Sequence, residues 1–146
     1  MPETRPVIFL IDDDKDDLEM LSSSLEPHGV RIRTFGSGSM AMSHFENTAV
    51  FAEKPSLIIV DYNMPLLNGL ETLILIKKNE RVRHIPVVIY STTINPLFER
   101  NAREFGAFAC ESKAVNVNDF REQVRRFADL AYSFSRTISV PDLNIN

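Results

Sequence analysis

Short runs of apolar, often β-branched residues alternate with amphipathic stretches along this chain, and the alternation occurs five times. The apolar runs cover residues 7–11, 30–35, 57–60, 87–90 and 107–110. Between the first two runs, Leu18, Leu21 and Leu25 recur at the steps of one helix face. Apolar strands that alternate with amphipathic helices are typical of βα units, which build parallel sheets. The pattern therefore predicts an α/β domain with a parallel sheet.

Turn and cap residues limit the predicted helices, and the last helix has the most regular apolar face. The limits are marked by Pro27, Gly29, Gly69, Pro96 and Gly106. The second helix is predicted over residues 40–48, and the apolar face of the last helix comprises Phe120, Val124, Phe127, Ala131 and Phe134. We expect residues 1–134 to form a single domain, followed by a polar and loosely ordered tail over residues 135–146.

Composition and charge exclude several classes of function. The 146 residues carry a net charge of −4 without a basic stripe, which argues against nucleic-acid binding. The first apolar run leads directly into aspartates, unlike a signal peptide, and no segment approaches the roughly 18 apolar residues of a membrane span. We therefore expect no membrane insertion. Cys110 is the only cysteine and cannot form an internal disulfide, which favours a reducing, cytoplasmic location.

Four of the apolar runs are followed directly, or within a few residues, by polar side chains. Asp12 and Asp13 follow the first run, Asp61 the third, Ser91 the fourth, and Lys113 comes after the fifth. The carboxyl ends of parallel strands line one crevice, where open α/β sheets bind their ligands. Clustered carboxylates suit a hard divalent cation, whereas a lysine and a hydroxyl suit an anion. A crevice that offers both predicts a site for a phosphoryl group.

The expected metal is Mg²⁺, which takes oxygen ligands from one or two carboxylates together with phosphate oxygens and water. Asp13, Asp61 and a backbone carbonyl near Asn63 could supply the protein ligands, and Asp12 could hold a metal-bound water. The second oxygen of Asp61 is then free to act as a nucleophile and form an acyl phosphate. Lys113 would neutralise charge on the phosphoryl oxygens.

The acidic run that begins at Asp12 has two further interpretations. Asp14, Asp16 and Asp17 lie at the start of a predicted helix, where aspartates cap free amides and suit the helix dipole. We assign that role to these three residues. A calcium loop is the other interpretation, but Asp17 replaces its glycine and Ser23 replaces its final glutamate, so the loop is excluded.

Over residues 7–134 the chain resembles the receiver domain of two-component response regulators, of the chemotaxis-regulator type. The matching features are Asp12-Asp13, the D-x-x-M-P-x-x-x-G run from Asp61 to Gly69, Ser91, and Gly106-Ala107 followed by Lys113. The resemblance implies a flavodoxin-like three-layer sandwich, with a five-stranded parallel sheet of order 2-1-3-4-5 and helices on both faces.

The resemblance also implies a function: a stand-alone switch in a two-component phosphorelay that has no separate substrate to turn over. Asp61 would accept a phosphoryl group from phosphohistidine on a sensor histidine kinase or a histidine phosphotransfer protein. Asp13, Asp61 and the Asn63 carbonyl would hold Mg²⁺, with Asp12 acting through water. Ser91 would hydrogen-bond the phosphoryl group and Lys113 would pair with it. Phosphorylation would then change contacts with a downstream protein.

Two positions depart from the family pattern. Family members usually place a proline after the lysine, in a cis peptide bond, but this chain has Ala114. A cis bond before a residue other than proline costs about 2.5–4 kcal/mol, so we expect a trans bond here. Family members also tend to carry an aromatic switch residue three positions before the lysine, where this chain has Cys110. Phosphorylation should survive both changes, whereas the usual output route is missing.

Two other functions remain open from the sequence. A degenerate receiver would act as a constitutive interaction module, which the changes at Cys110 and Ala114 permit. A Mg²⁺-dependent phosphatase would also use a strand-end aspartate nucleophile, but it needs a second aspartate two residues later. That residue is Asn63, which cannot shuttle a proton. We therefore expect a phosphoacceptor domain that catalyses only its own phosphorylation and dephosphorylation. Asn63 itself is a candidate to tune the lifetime of the acyl phosphate.

Overall fold

The sheet is parallel and five-stranded, with the strand order β2-β1-β3-β4-β5. The computed structural model describes the backbone of residues 5–47 and 53–143, and side chains as far as residue 136. The strands are β1 (Val7–Ile11), β2 (Arg31–Phe35), β3 (Leu57–Asp61), β4 (Val87–Ser91) and β5 (Ala109–Ser112). The helices are α1 (Lys15–Leu25), α2 (Gly38–Glu46), α3 (Gly69–Lys78), α4 (Pro96–Glu104) and α5 (Val117–Leu143). A 3₁₀ turn at Glu26–His28 follows α1. The predicted flavodoxin-like order and layers are confirmed.

Alternate residues of the central strands face two separate apolar clusters, as the pleat of a strand requires. Phe9 of β1 packs with residues of α2, α3 and α4 on one face, including Phe45, Leu73, Ile76 and Ala102. Ile8 and Leu10 pack with α1 and α5 on the other face, against Leu21, Leu25, Phe127 and Ala131. Because both faces of the sheet are covered, the fully buried central strands β1, β3 and β4 consist mainly of continuous apolar runs.

The strand register brings the polar strand ends to one edge of the sheet. Ile11 lies opposite Val60, so Asp12 and Asp61 follow at the same level on neighbouring strands. Asp61 lies opposite Tyr90, and Ser91 lies opposite Ser112, which precedes Lys113. The polar strand ends therefore lie together at the carboxyl edge, as predicted.

The structure moves several predicted element limits. β5 begins at Ala109 because the amide of Ala107 still donates to the Ala102 carbonyl at the end of α4. α2 begins at Gly38, capped by the Ser37 hydroxyl, and ends at Glu46, whereas part of its predicted end lies outside the described residues. α5 continues to Leu143, so residues 135–143 are helical. The domain boundary at residue 134 stays a prediction. Among the described residues, no helix is both long and apolar enough to cross a membrane.

Candidate functional site

Three carboxylates converge at the carboxyl edge of the sheet. Asp12, Asp13 and Asp61 each offer an oxygen, and these oxygens lie within 4.8 Å of one another. Asp12 and Asp61 are buried, at 7% and 6% exposure, whereas Asp13 is open to solvent. Like charges this close are costly unless a cation lies between them, and hard oxygen donors suit a divalent cation. Three of the four predicted metal residues, the carboxylates, are therefore together, and Asp13 is their solvent-exposed member.

Lys113 supplies the positive charge that this structure places beside the carboxylates. Its ammonium lies 3.0 Å from Asp12, 2.8 Å from Asp17 and 3.3 Å from Asp61, and the side chain is only 14% exposed. Burial alone would lower the pKa of Lys113, but the hydrogen bonds to Asp17 and Asp12 outweigh it and raise the pKa. The ammonium also lies 5.6 Å from the centre of the Tyr90 ring, within cation–π range. Lys113 is therefore charged at every physiological pH.

The two buried carboxyls have raised pKa values. Burial is the main cause of the raised pKa of Asp61, and the nearby Asp12 charge adds to it. Lys113 and a hydrogen bond from the Asn63 backbone act in the opposite direction on Asp61. Burial likewise raises the pKa of Asp12, against a hydrogen bond from the Asp14 backbone amide. The raised pKa values mean that negative charge on Asp12 and Asp61 is unfavourable in this site. A bound cation would stabilise that charge.

The loops after β3 and β4 are joined through Asn63 and Ser91. The Asn63 side-chain amide donates to the Ser91 hydroxyl at 3.2 Å and to the Thr92 hydroxyl at 3.4 Å. Ser91 is fully buried, and its hydroxyl also accepts from the Thr93 amide at 3.4 Å. The side-chain amide of Asn63 therefore connects the loop after β3 with the loop after β4.

The acidic run after β1 both caps α1 and contacts Lys113, whereas the sequence indicated only the cap role for Asp14, Asp16 and Asp17. Asp14 caps α1 and accepts from the amides of Asp16 and Asp17, as predicted. Asp17, however, also forms the shortest of the three contacts with Lys113. This contribution was missed, because the helix-cap role already accounted for the residue. The available signal was its position one helical turn beyond Asp13, which points its side chain back towards the strand end.

Cys110 and Ala114 are the two positions that depart from the family pattern, and both lie close to Lys113 in the sequence. Cys110 is a partly buried, free thiol in β5. Among the described residues there is no cis peptide bond, so the expected trans bond between Lys113 and Ala114 is confirmed. An aromatic contact lies next to Asp61. The rings of Tyr62 and Phe98 pack edge to face, with their centroids 4.5 Å apart. This contact connects the Asp61 loop with α4.

Gly69 allows the loop after β3 to fold back on Asp61. A Cβ atom at this position would lie 2.6 Å from the Asp61 carbonyl oxygen and 2.6 Å from Tyr62 Cα. We expect Gly69→Ala to lower the free energy of unfolding by about 1–3 kcal/mol, because only backbone could move to make room. Urea denaturation followed by circular dichroism measures the change. Gly36→Ala is the matched control, since its nearest atom would be Met40 Sδ at 3.7 Å. Equal stability of the two variants would contradict this packing.

Comparison with known proteins agrees with the geometry. The family model of the response regulator receiver domain matches residues 8–125. Response regulator Rcp1 of Synechocystis sp. is 34% identical, with 84% of this chain and 88% of that protein covered. The transcriptional regulatory protein CpxR homolog of Haemophilus influenzae is 30% identical over 90% of this chain. The chain spans 54% of that homolog and 25% of a probable cyclic di-GMP phosphodiesterase of Vibrio cholerae, which it also resembles.

Solved structures show the same likeness. The phosphorylated cyanobacterial phytochrome response regulator RcpA is 27% identical with a TM-score of 0.79, covering 89% of this chain and 96% of that one. The Mn²⁺-bound form of Rcp1 is 26% identical with a TM-score of 0.73, covering 84% and 91%. Receivers are phosphoacceptor signalling modules that work with histidine kinases, and their acidic pocket binds a divalent metal. On the match over residues 8–125 and the acidic pocket with its lysine, this chain belongs to the response regulator receiver domain family.

Proposed function

We propose that Asp61 is the phosphoacceptor of this receiver and that Mg²⁺ is its metal. The main support for this proposal is the position of the Lys113 ammonium. It lies 3.3 Å from an Asp61 oxygen, beside the cluster of Asp12, Asp13 and Asp61. Asp13, Asp61 and the Asn63 carbonyl would hold the ion, and Asp12 would act through water. When bound, Mg²⁺ supplies positive charge that offsets the charge of the phosphoryl oxygens.

The residues of the chain suit a transfer from phosphohistidine. An Asp61 carboxylate oxygen attacks phosphorus, and the phosphorus–nitrogen bond breaks with its electron pair going to the ring nitrogen. The donor imidazole leaves as a neutral ring when its other nitrogen carries a proton. The Lys113 ammonium is already within contact distance of Asp61, so it could form an ion pair with the phosphoryl oxygens. The Ser91 hydroxyl accepts from Asn63 in this structure and could donate its own hydrogen to a phosphoryl oxygen.

A sensor histidine kinase or a histidine phosphotransfer protein would supply the phosphoryl group, and the phosphorylated form would change its contacts with a protein partner. Action in the cytoplasm is supported by the free thiol of Cys110, which suits a reducing compartment.

The test is incubation with Mg²⁺ and a small acyl-phosphate donor, followed by intact mass spectrometry. We expect the mass of one phosphoryl group to be added to the wild-type protein, and no addition with a chelator or in Asp61→Ala. Asp14→Ala is a matched control, because Asp14 caps α1 and lies outside the three-carboxylate cluster. An adduct on Asp61→Ala would overturn the assignment. A folded wild-type protein that gains no mass would favour a constitutive interaction module, and steady donor hydrolysis without an adduct would favour a phosphatase.

A further inference from the structure

Gln123 lies beneath the loop that carries Lys113, and all four hydrogen-bonding positions of its amide are in use. The side chain belongs to α5 and is 7% exposed. Its Oε1 accepts from the Tyr90 hydroxyl at 2.9 Å and from the Ala114 amide at 3.2 Å. Its Nε2 donates to the Ser112 carbonyl and to Glu111 at 3.3 Å. A primary amide can make two bonds of each kind, so Gln123 is saturated.

Two of these bonds reach the residues on either side of Lys113. Ser112 is held through its carbonyl and Ala114 through its amide, both by the same side chain. The Lys113 amide itself donates to the Ser91 carbonyl at 2.8 Å. The backbone at Lys113 is therefore fixed on three sides, and the side chain starts from a defined point towards Asp12 and Asp61.

The identity of residue 114 matters for this arrangement. A proline at this position has no amide hydrogen and could not donate to Gln123. Ala114 provides that hydrogen, and its peptide bond is trans. The Tyr90 hydroxyl extends the same connection to β4, because Tyr90 immediately precedes Ser91.

We propose that Gln123 is a positioning residue for phosphoryl transfer, which holds the backbone on both sides of Lys113 so that its ammonium faces the acceptor carboxylate. This inference rests on the proposed function. Gln123 touches neither the carboxylates nor the phosphoryl group and acts only through Lys113.

The test measures how fast the acyl-phosphate donor phosphorylates Gln123→Leu, over a range of donor concentrations at saturating Mg²⁺. Leucine keeps most of the volume and removes every hydrogen bond. We expect the maximal rate to fall on the order of tenfold or more, as small displacements of a reacting group do, with the half-saturating donor concentration little changed. Arg126→Ala is the matched control on the same helix, since Arg126 contacts Glu111 at 2.8 Å but not the backbone beside Lys113. It should phosphorylate at the wild-type rate.

A double-mutant cycle separates positioning from a general loss of structure. In a Lys113→Gln background, Gln123→Leu should cause little further loss, because its effect passes through the missing lysine. An equal fold-loss in both backgrounds would overturn the proposal, as would a folded Gln123→Leu that phosphorylates at the wild-type rate. If Gln123→Leu does not fold, Gln123→Glu enters the same cycle, since it keeps the shape and the acceptor for Tyr90 and Ala114 but can no longer donate to both Ser112 and Glu111. Failure of the wild-type protein to be phosphorylated would count against the proposed function instead.

Discussion

Replacing Lys113 with glutamine is expected to lower the free energy of unfolding of the metal-free protein by about 3 kcal/mol at neutral pH. The ammonium lies within 3.3 Å of Asp12, Asp17 and Asp61, two of which are buried. Without it, the buried carboxylates would face each other and Asp13 with no compensating charge. The lower end of the range for broken buried pairs applies, because Asp17 is 38% exposed and partly screened by water.

Urea denaturation in a chelator and then in saturating Mg²⁺ measures this effect. The loss should shrink in Mg²⁺, because the ion would replace the missing positive charge. Adding Asp12→Asn to Lys113→Gln should recover part of the loss in the chelator. Lys77→Gln is the matched control, since Lys77 is partly buried and, among the residues that the structure describes, donates only to the carbonyls of Arg83 and Ile85. The loss of unfolding free energy in Lys77→Gln should be the same in the chelator and in Mg²⁺. An equal loss of Lys113→Gln in the two conditions would contradict the prediction.

The same variant should show a distinctive pH dependence in the chelator. Burial raises the pKa of Asp12 and of Asp61 above the ordinary value of 3.8. Between that value and the raised pKa values the folded state binds more protons than the unfolded chain, so stability falls as the pH rises. Loss of the ammonium should raise both pKa values further. The difference in unfolding free energy between the wild type and Lys113→Gln should therefore become smaller when the pH is lowered from 7 towards 5.

Local patterns in the sequence predicted a parallel α/β sheet and the convergence of the candidate site residues, whereas the strand order was implied by the family resemblance. Each buried parallel strand is a short apolar run, and the residue after it must lie at the carboxyl edge. That rule alone brings Asp12 and Asp61 to one edge, and Lys113 to the same edge from β5. The limits of β5 were less accurate, because the bond from Ala107 to the Ala102 carbonyl is decided by how α4 ends.

The residues that the sequence did not reveal act through tertiary contacts. Asp17 was assigned to the helix cap, and only the folded chain brings it to Lys113, which lies in the loop after β5. Gln123 lies next to the apolar face of α5 and its sequence neighbours give no sign of a special role. Its partners Tyr90 and Ala114 belong to β4 and to the loop after β5, which meet it only in the folded chain. No local pattern encodes such a contact.

Mg²⁺ at 100 times its dissociation constant is expected to raise the free energy of unfolding by about 2.7 kcal/mol, because the site exists only in the folded state. Asp13→Asn should remove most of this gain. Asp13 is the exposed member of the three-carboxylate cluster, so its charge can serve a cation with little cost of burial. Denaturation midpoints over a series of Mg²⁺ concentrations give the gain and the apparent affinity.

The change at Asp13 should have opposite effects with and without the ion. In a chelator, Asp13→Asn removes a negative charge from beside Asp12 and Asp61, so the variant should be slightly more stable than the wild type. In saturating Mg²⁺ it should be less stable. Asp16→Asn is the matched control, because Asp16 is an exposed aspartate in the first turn of α1 and lies outside the cluster. Its small effect through the helix dipole should not depend on Mg²⁺. If Asp13→Asn gains as much stability from Mg²⁺ as Asp16→Asn does, the ion binds elsewhere.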